Sequence, residues 1–261
     1  MNQLKNTYKI CKGFSLIEVA IVMVIIGLLI SAAIMPLGSQ RDTNNLKKVI
    51  EELKNIEQAI LGFAVANGRL PCPSLPADAG MESRTGEICN NNSMGFIPAA
   101  TLGISGNVNC DNLLVDPWGN PYRYSVTTSS AADDIAAGNP VNGPDFTISG
   151  ELKFIFQDPL IILNPDLQIC TDSTCGTVLT DKAVAVIFSM GKRWSSIASA
   201  NEIENSDGIV VASGCTTAYA MPGDVNFISS LPIETGNVFD DIVIWISPNI
   251  LYAKLLAAGK L

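Results

Sequence analysis

The sequence predicts an α+β protein: one long, kinked N-terminal helix, its first half membrane-spanning, laid by its second half on an antiparallel sheet with disulfide-bonded loops. Three observations predict it. An apolar run, Phe14 to Met35, leads into an amphipathic helical stripe, Leu46 to Phe63. Short runs rich in β-branched residues follow from Leu152 to Ile246. Six of the seven cysteines lie beyond the apolar run.

The first element is the basic tail, residues 1–13, which holds Lys5, Lys9 and Lys12 and no acid. Behind it Phe14–Met35 is interrupted only by Ser15, Glu18, Gly27 and Ser31. As a helix this run reaches about 33 Å, the thickness of a bilayer's hydrocarbon core. The lysines place the tail in the cytoplasm and the remainder outside. Glu18 is the anomaly, because a carboxylate at the centre of a membrane helix costs roughly 2.5–3.5 kcal/mol. It lies near the end of the run, where snorkelling to the interface is the plain structural reading.

Gly13-Phe14-Ser15-Leu16-Ile17-Glu18-Val19 resembles the cleavage and methylation motif of type IV pilins and type II secretion pseudopilins. The resemblance implies that a membrane aspartyl peptidase cuts between Gly13 and Phe14, and that Phe14 is then N-methylated. It implies that the chain divides into a cleaved leader, 1–13, a transmembrane half-helix, 14–36, and a periplasmic pilin-like domain, 37–261. Glu18 then pairs with the new Phe14 amine of an adjacent subunit, since a buried charge needs a partner. The rival is an ordinary signal-peptidase site at Ser31-Ala32-Ala33, but such peptides have a core of 7–15 residues without a glutamate at its start.

Beyond Pro36, expected to kink the helix, Leu46, Val49, Ile50, Leu53, Ile56, Ile60 and Phe63 recur at helical spacing. Lys47, Lys48, Glu51, Glu52, Lys54 and Glu57 fill much of the other face. Asn67-Gly68 and Pro71 end the helix. From Phe14 to about Ala66 it runs about 80 Å. Gly27 and Ser31 are small enough to allow close helix approach.

Arg69–Leu114 reads as a cysteine-pinned loop region with a short helix. Asp116-Pro117-Trp118-Gly119-Asn120-Pro121-Tyr122 is a turn feeding a strand, with Trp118 and Tyr122 locking it to the helix. This string is similar to the start of the sheet in major pseudopilins. Leu152–Phe156, Leu160–Leu163, Ala183–Ser189 and Ile242–Ile246 read as further strands. Phe188-Ser189-Met190-Gly191 and Asp240-Asp241-Ile242-Val243-Ile244-Trp245 look like the last pseudopilin strands, but some fifty residues separate them. Ala131–Gly150 is a second enlargement. Pro248–Leu261 reads as a terminal helix.

Cys72, Cys89, Cys110, Cys170, Cys175 and Cys215 imply up to three disulfides in an oxidising compartment. Cys170 and Cys175 are near enough to close a small loop; the other pairings stay open. The absence of histidine removes the commonest general base and zinc ligand. No nucleophile elbow or Walker loop is present, so no enzyme is expected. A net charge of -9 argues against nucleic-acid binding.

No cofactor is required. The resemblance implies one option, a calcium ion in the loop before the final strand. Asp207, Asp224, Asp240 and Asp241 are its carboxylate candidates, against the plain reading of a solvated acidic face. Their spacing matches no EF-hand, and adjacent strand residues point to opposite faces, so Asp240 and Asp241 are not expected to converge. The implied function is a structural subunit of a type II secretion pseudopilus. The alternative is a minor pilin of a type IV pilus, acting in adhesion, motility or DNA uptake. The implied partners are other pilins, the prepilin peptidase, an inner-membrane platform protein and an assembly ATPase.

Overall fold

A computed structural model describes residues 13–129, 145–153, 165–197, 199–208, 210–211, 213–214, 218–233 and 238–261. Side chains of residues 31–39 fall outside the description. Residues 1–12 of the basic leader, Cys215 and the expected strand Leu160–Leu163 also lie outside the described residues.

Helix α1 runs without interruption from Leu16 to Asn67, through Pro36. The chain divides into two compact units after Leu46. In the first unit the apolar side chains from Phe14 to Ile30 stand exposed, Phe14 at 81% and Leu16 at 89%. Among the described residues no helix is long and apolar enough to cross a membrane. The part of this run with described side chains stops at Ile30, short of the 20 or so residues a bilayer requires.

In the second unit the centre of the α1 stripe is buried as its spacing predicts, Val49, Leu53, Ile56 and Ile60 being no more than 1% exposed, and Ala64 joins them. Phe63 is half-buried, as is Leu46 at the end of the first unit, and Ile50, expected on the same face, stands 39% exposed. The helix ends where Gly68 takes a positive φ of 67° and donates to the Ala64 carbonyl. Only glycine adopts this left-handed end without steric cost.

The stripe lies against a four-stranded antiparallel sheet. Its strands are β3 (Met94–Phe96), β4 (Arg123–Val126), β7 (Ala185–Ser189) and β11 (Ile242–Ile246), in the order β11-β7-β4-β3. Alternation assigns the faces. Tyr124, Val126, Ala185, Ile187, Ile244 and Ile246 share the α1 core. Val186, Phe188, Val243 and Trp245 point the other way, into a second core. At the helix end of the sheet the Tyr122 hydroxyl donates to Glu52 Oε2 at 2.5 Å, fastening the start of β4 to α1. The terminal helix α4 (Pro248–Ala257) buries Leu251 and Leu255 in the α1 core.

The second core is covered by a three-stranded sheet that the sequence reading did not anticipate. Strands β5 (Leu167–Cys170), β6 (Val178–Ala183) and β10 (Asn226–Ile228) form it in the order β10-β5-β6. Leu167, Ile169, Ala183 and Phe227 pack on Val186 and Phe188. A third layer thus covers the sheet face opposite α1, built from β5 and β6, which precede β7, and from β10, which lies in the long segment between β7 and β11. Strand β10 pairs with β5 in parallel, whereas the sheet under α1 is antiparallel as expected. A parallel pair needs a long crossover, which the segment between β6 and β10 provides. Leu152 and Lys153 are helical, not the start of a strand.

Along the chain, β1 (Arg84–Thr85) and β2 (Ile88–Cys89) precede β3, and the short helix α2 (Ala99–Leu102) follows it. Cys72 is bonded to Cys89, and Cys170 to Cys175 as their proximity suggested. Cys110 is also disulfide-bonded. Beside the Cys72–Cys89 bond the Arg69 guanidinium grips Glu82 through both nitrogens, at 2.8 and 2.6 Å.

Candidate functional site

Two places hold groups that packing alone does not explain. The first is the start of α1. Gly13, Phe14 and Ser15 precede the helix in extended or irregular backbone. Ser15 caps it, its hydroxyl accepting from the Glu18 amide at 3.3 Å. Glu18 thus occupies the third helical position, where a carboxylate meets the positive end of the helix dipole. That local role accounts for a glutamate within the first turn. It does not account for the exposed apolar side chains of Phe14, Leu16, Ile17, Val19 and Ile21 around it; wherever that surface leaves water, the charge is costly unless a partner meets it.

The second is a carboxylate cluster on the sheet side of the third layer. Helix α3 (Ala200–Glu204) is capped by Ser199, whose side chain accepts from the Glu202 amide. Ser-x-x-Glu is the capping-box spacing, in which the glutamate normally turns back to the cap residue. Glu202 does not. Its residue is 1% exposed, and no group other than the facing Asp240 carboxyl meets its oxygens. One oxygen from each of Glu202, Asp240 and Asp241 lies within 4.8 Å of the others.

The expectation that Asp240 and Asp241 diverge is corrected here. Strand β11 begins only at Ile242, so the pair sits in the approach to the strand, free of its pleat. Strand β8 (Val210–Val211) and strand β9 (Tyr219–Ala220) pair antiparallel between α3 and β10. Gly191 leaves β7 with φ 65°, and a Cβ there would collide with the backbone oxygen and carboxylate of Asp240. The Arg193 amide donates to Asp240 Oδ2 at 3.1 Å. Asn205, fully buried, donates to Asp241 Oδ2 at 2.8 Å and to the Ile228 carbonyl, and accepts from the Ile228 amide.

Burial raises the Asp240 carboxyl to about 6, the negative charge of Glu202 adds to it, and a hydrogen bond that the protonated carboxyl gives to Glu202 adds further, against the Arg193 amide and charge. Burial likewise pushes Asp241 well above the ordinary carboxylate range, against the hydrogen bond from Asn205 and with further repulsion from Glu202 and Asp240. Asp207 and Asp224 do not join this group. Asp207 Oδ1 accepts from the Gly223 amide, and Asp224 accepts from Asn226; both are exposed. Their charges act on Glu204, whose carboxyl is raised by burial first and by them second. The sequence reading missed Glu202. The capping-box spacing of Ser199 and Glu202 was visible, but it points to a helix start and says nothing of an unreturned side chain.

The Asp116 turn is structural. Asp116 Oδ1 accepts from the Trp118 and Asn120 amides, and Oδ2 accepts from the Ser189 hydroxyl at 2.6 Å. It thereby ties the turn before β4 to the end of β7.

Residues 8–34 match the prokaryotic N-terminal methylation motif. The chain is similar to the type II secretion system core protein G of Pseudomonas aeruginosa, 29% identical over 125 residues, which are 47% of this chain and 79% of that protein. It is 28% identical to the protein of that name from Aeromonas hydrophila over 113 residues, 42% of this chain and 70% of the relative. The corresponding Escherichia coli K12 protein is 25% identical over 131 residues, 49% of this chain and 81% of the relative. No solved structure matches the chain at a significant level.

Proposed function

We propose, from a chain that carries the prepilin-type methylation motif and is homologous to core protein G of type II secretion systems, that it serves as a structural subunit of a secretion pseudopilus. The observation that carries this reading is the string Gly13–Val19 at the foot of an exposed apolar helix. The leader is cut between Gly13 and Phe14, and Phe14 becomes a methylated, cationic N-terminus. Phe14–Pro36 spans the bacterial inner membrane, with residues 37–261 in the periplasm until assembly draws the helix into the filament.

There the Phe14 amine of one subunit meets Glu18 of the next. In a low-dielectric core the two charges attract strongly, but both lose hydration, so the pair sets the stagger between subunits more than it adds stability. The partners are sister pseudopilins, the prepilin peptidase, a membrane platform protein and an ATPase. The chain itself performs no catalysis and engages no nucleic acid. A calcium ion at the Asp240–Asp241 pair belongs to the same reading. The residues fit it: both Glu202 oxygens and Asp240 Oδ1 are buried with no donor beyond these facing carboxyls, and hard cations take oxygen ligands.

Mass spectrometry of the protein from its native membrane tests the processing step. The expected mature chain begins at methylated Phe14; one beginning at Ile34, or retaining its lysines, overturns the reading. Glu18→Val is expected to abolish assembly while leaving cleavage intact. Normal filaments from that variant refute the pairing.

A minor subunit, in a pseudopilus or a type IV pilus, is the second reading. The alignments cover less than half of this chain but 70% or more of these three relatives, so the enlargements belong to this chain. A filament that forms without it, but with altered length or adhesion, favours that position.

A further inference from the structure

We propose that Glu202 is the third carboxylate ligand of the calcium ion held by Asp240 and Asp241, and that the ion latches the third layer onto the last strand of the sheet. The proposal rests on the calcium reading of the Asp240–Asp241 pair. It adds a ligand from outside the loop before β11 and a consequence for the enlarged β7–β11 segment.

Calcium–oxygen distances of about 2.3–2.6 Å put ligands on opposite sides of one ion about 4.6–5.2 Å apart. A separation within 4.8 Å for all three oxygens fits a shared ion. Glu202 provides the independent observation. It is 1% exposed, no group other than the facing Asp240 carboxyl meets its oxygens, and it forgoes the backbone bond its helix position offers. Burying such a group without compensation is costly. Arg193 and Arg123 are the cations whose charges act on this cluster. Arg123 is also committed to Asp116, the Ala220 and Pro121 carbonyls and the Phe96 ring.

The ligands come from different parts of the chain. Glu202 stands on α3, within the segment between β7 and β11, whereas Asp240 and Asp241 lead into β11. Asn205, at the end of α3, joins Asp241 to β10. An ion bound here thus connects α3, β10 and the start of β11. It converts a layer held by one apolar core into one that is also pinned at its end.

The test uses the full chain in detergent micelles, stripped with a chelator and titrated with calcium chloride by calorimetry. Limited proteolysis across residues 190–240, with and without calcium, is the second readout. The wild type is expected to bind one ion and to gain at least tenfold protection in that segment. Glu202→Gln, nearly isosteric, is expected to weaken binding at least tenfold and to lose the protection. Asp207→Asn and Asp224→Asn are expected to behave as wild type, and near-ultraviolet circular dichroism verifies folding of each variant. Wild-type affinity in Glu202→Gln overturns the ligand assignment but leaves calcium at the aspartate pair. Absence of binding to the wild type overturns both. Binding that leaves the segment equally cleavable overturns the latch.

Discussion

Asp116→Ala is the most informative single change to the head. The carboxylate accepts three hydrogen bonds, from the Trp118 and Asn120 amides and the Ser189 hydroxyl. Asn120 and Ser189 are fully buried and Trp118 only partly so; water can replace the acceptor at Trp118 but not at the other two. Leaving a buried donor unmade costs about 1–3 kcal/mol, so two such donors cost about 2–6 kcal/mol. Asp116→Asn keeps an oxygen for the two amides and offers an N–H to Ser189, so about 1 kcal/mol or less is expected.

The charge itself contributes little. Burial raises the Asp116 carboxyl above its ordinary 3.8, even with its three hydrogen bonds and the Arg123 charge opposing that. The folded state therefore holds a proton that the unfolded state has released, and stability falls as pH rises from 3.8 to the raised value. In Asp116→Asn that decline disappears. Chemical unfolding of the full chain in micelles, followed by tryptophan fluorescence between pH 3.5 and 7, measures both effects. An alanine variant within 0.5 kcal/mol of wild type, or an asparagine variant as damaged as the alanine, refutes the hydrogen-bond argument.

Other perturbations separate the remaining supports. Burial alone would raise the Glu82 carboxyl, but hydrogen bonds from Arg69 and the Cys72 amide, with the charges of Arg69 and Arg84, outweigh it and leave a net depression below 4.5. Its contribution is present above pH 4.5 and is lost as pH falls through the depressed value. Melting curves at pH 3 to 5 should show wild type losing more stability on acidification than Glu82→Gln; equal losses count against it. Replacing Cys72 and Cys89 by serine removes a bond across a sequence separation of 17, worth about 3 kcal/mol from the unfolded chain's entropy; unchanged denaturant midpoints contradict this. Gly191→Ala meets both a positive φ and the Asp240 backbone, and a loss of at least about 2 kcal/mol is expected. A thermal midpoint equal to wild type excludes the close approach.

Periodicity alone determined much of this protein. The three- and four-residue spacing from Leu46 to Phe63 gives one buried helical face wherever the chain folds, and Gly68 ends it because no other residue turns left-handed so cheaply. The runs at β7 and β11 and the terminal helix were legible for the same reason, since local backbone preference and side-chain alternation are written in adjacent residues. The string at Gly13–Val19 was also local. What required tertiary structure was every encounter between distant segments. The parallel β5–β10 pair brings Ile169 beside Phe227, and no spacing rule announces a partner that far along the chain. Helix α3 carries Glu202 to Asp240 and Asp241, although its sequence reads only as a capped turn. Sequence patterns record which face of an element must leave water; which other face it meets is decided by the packing of the whole chain.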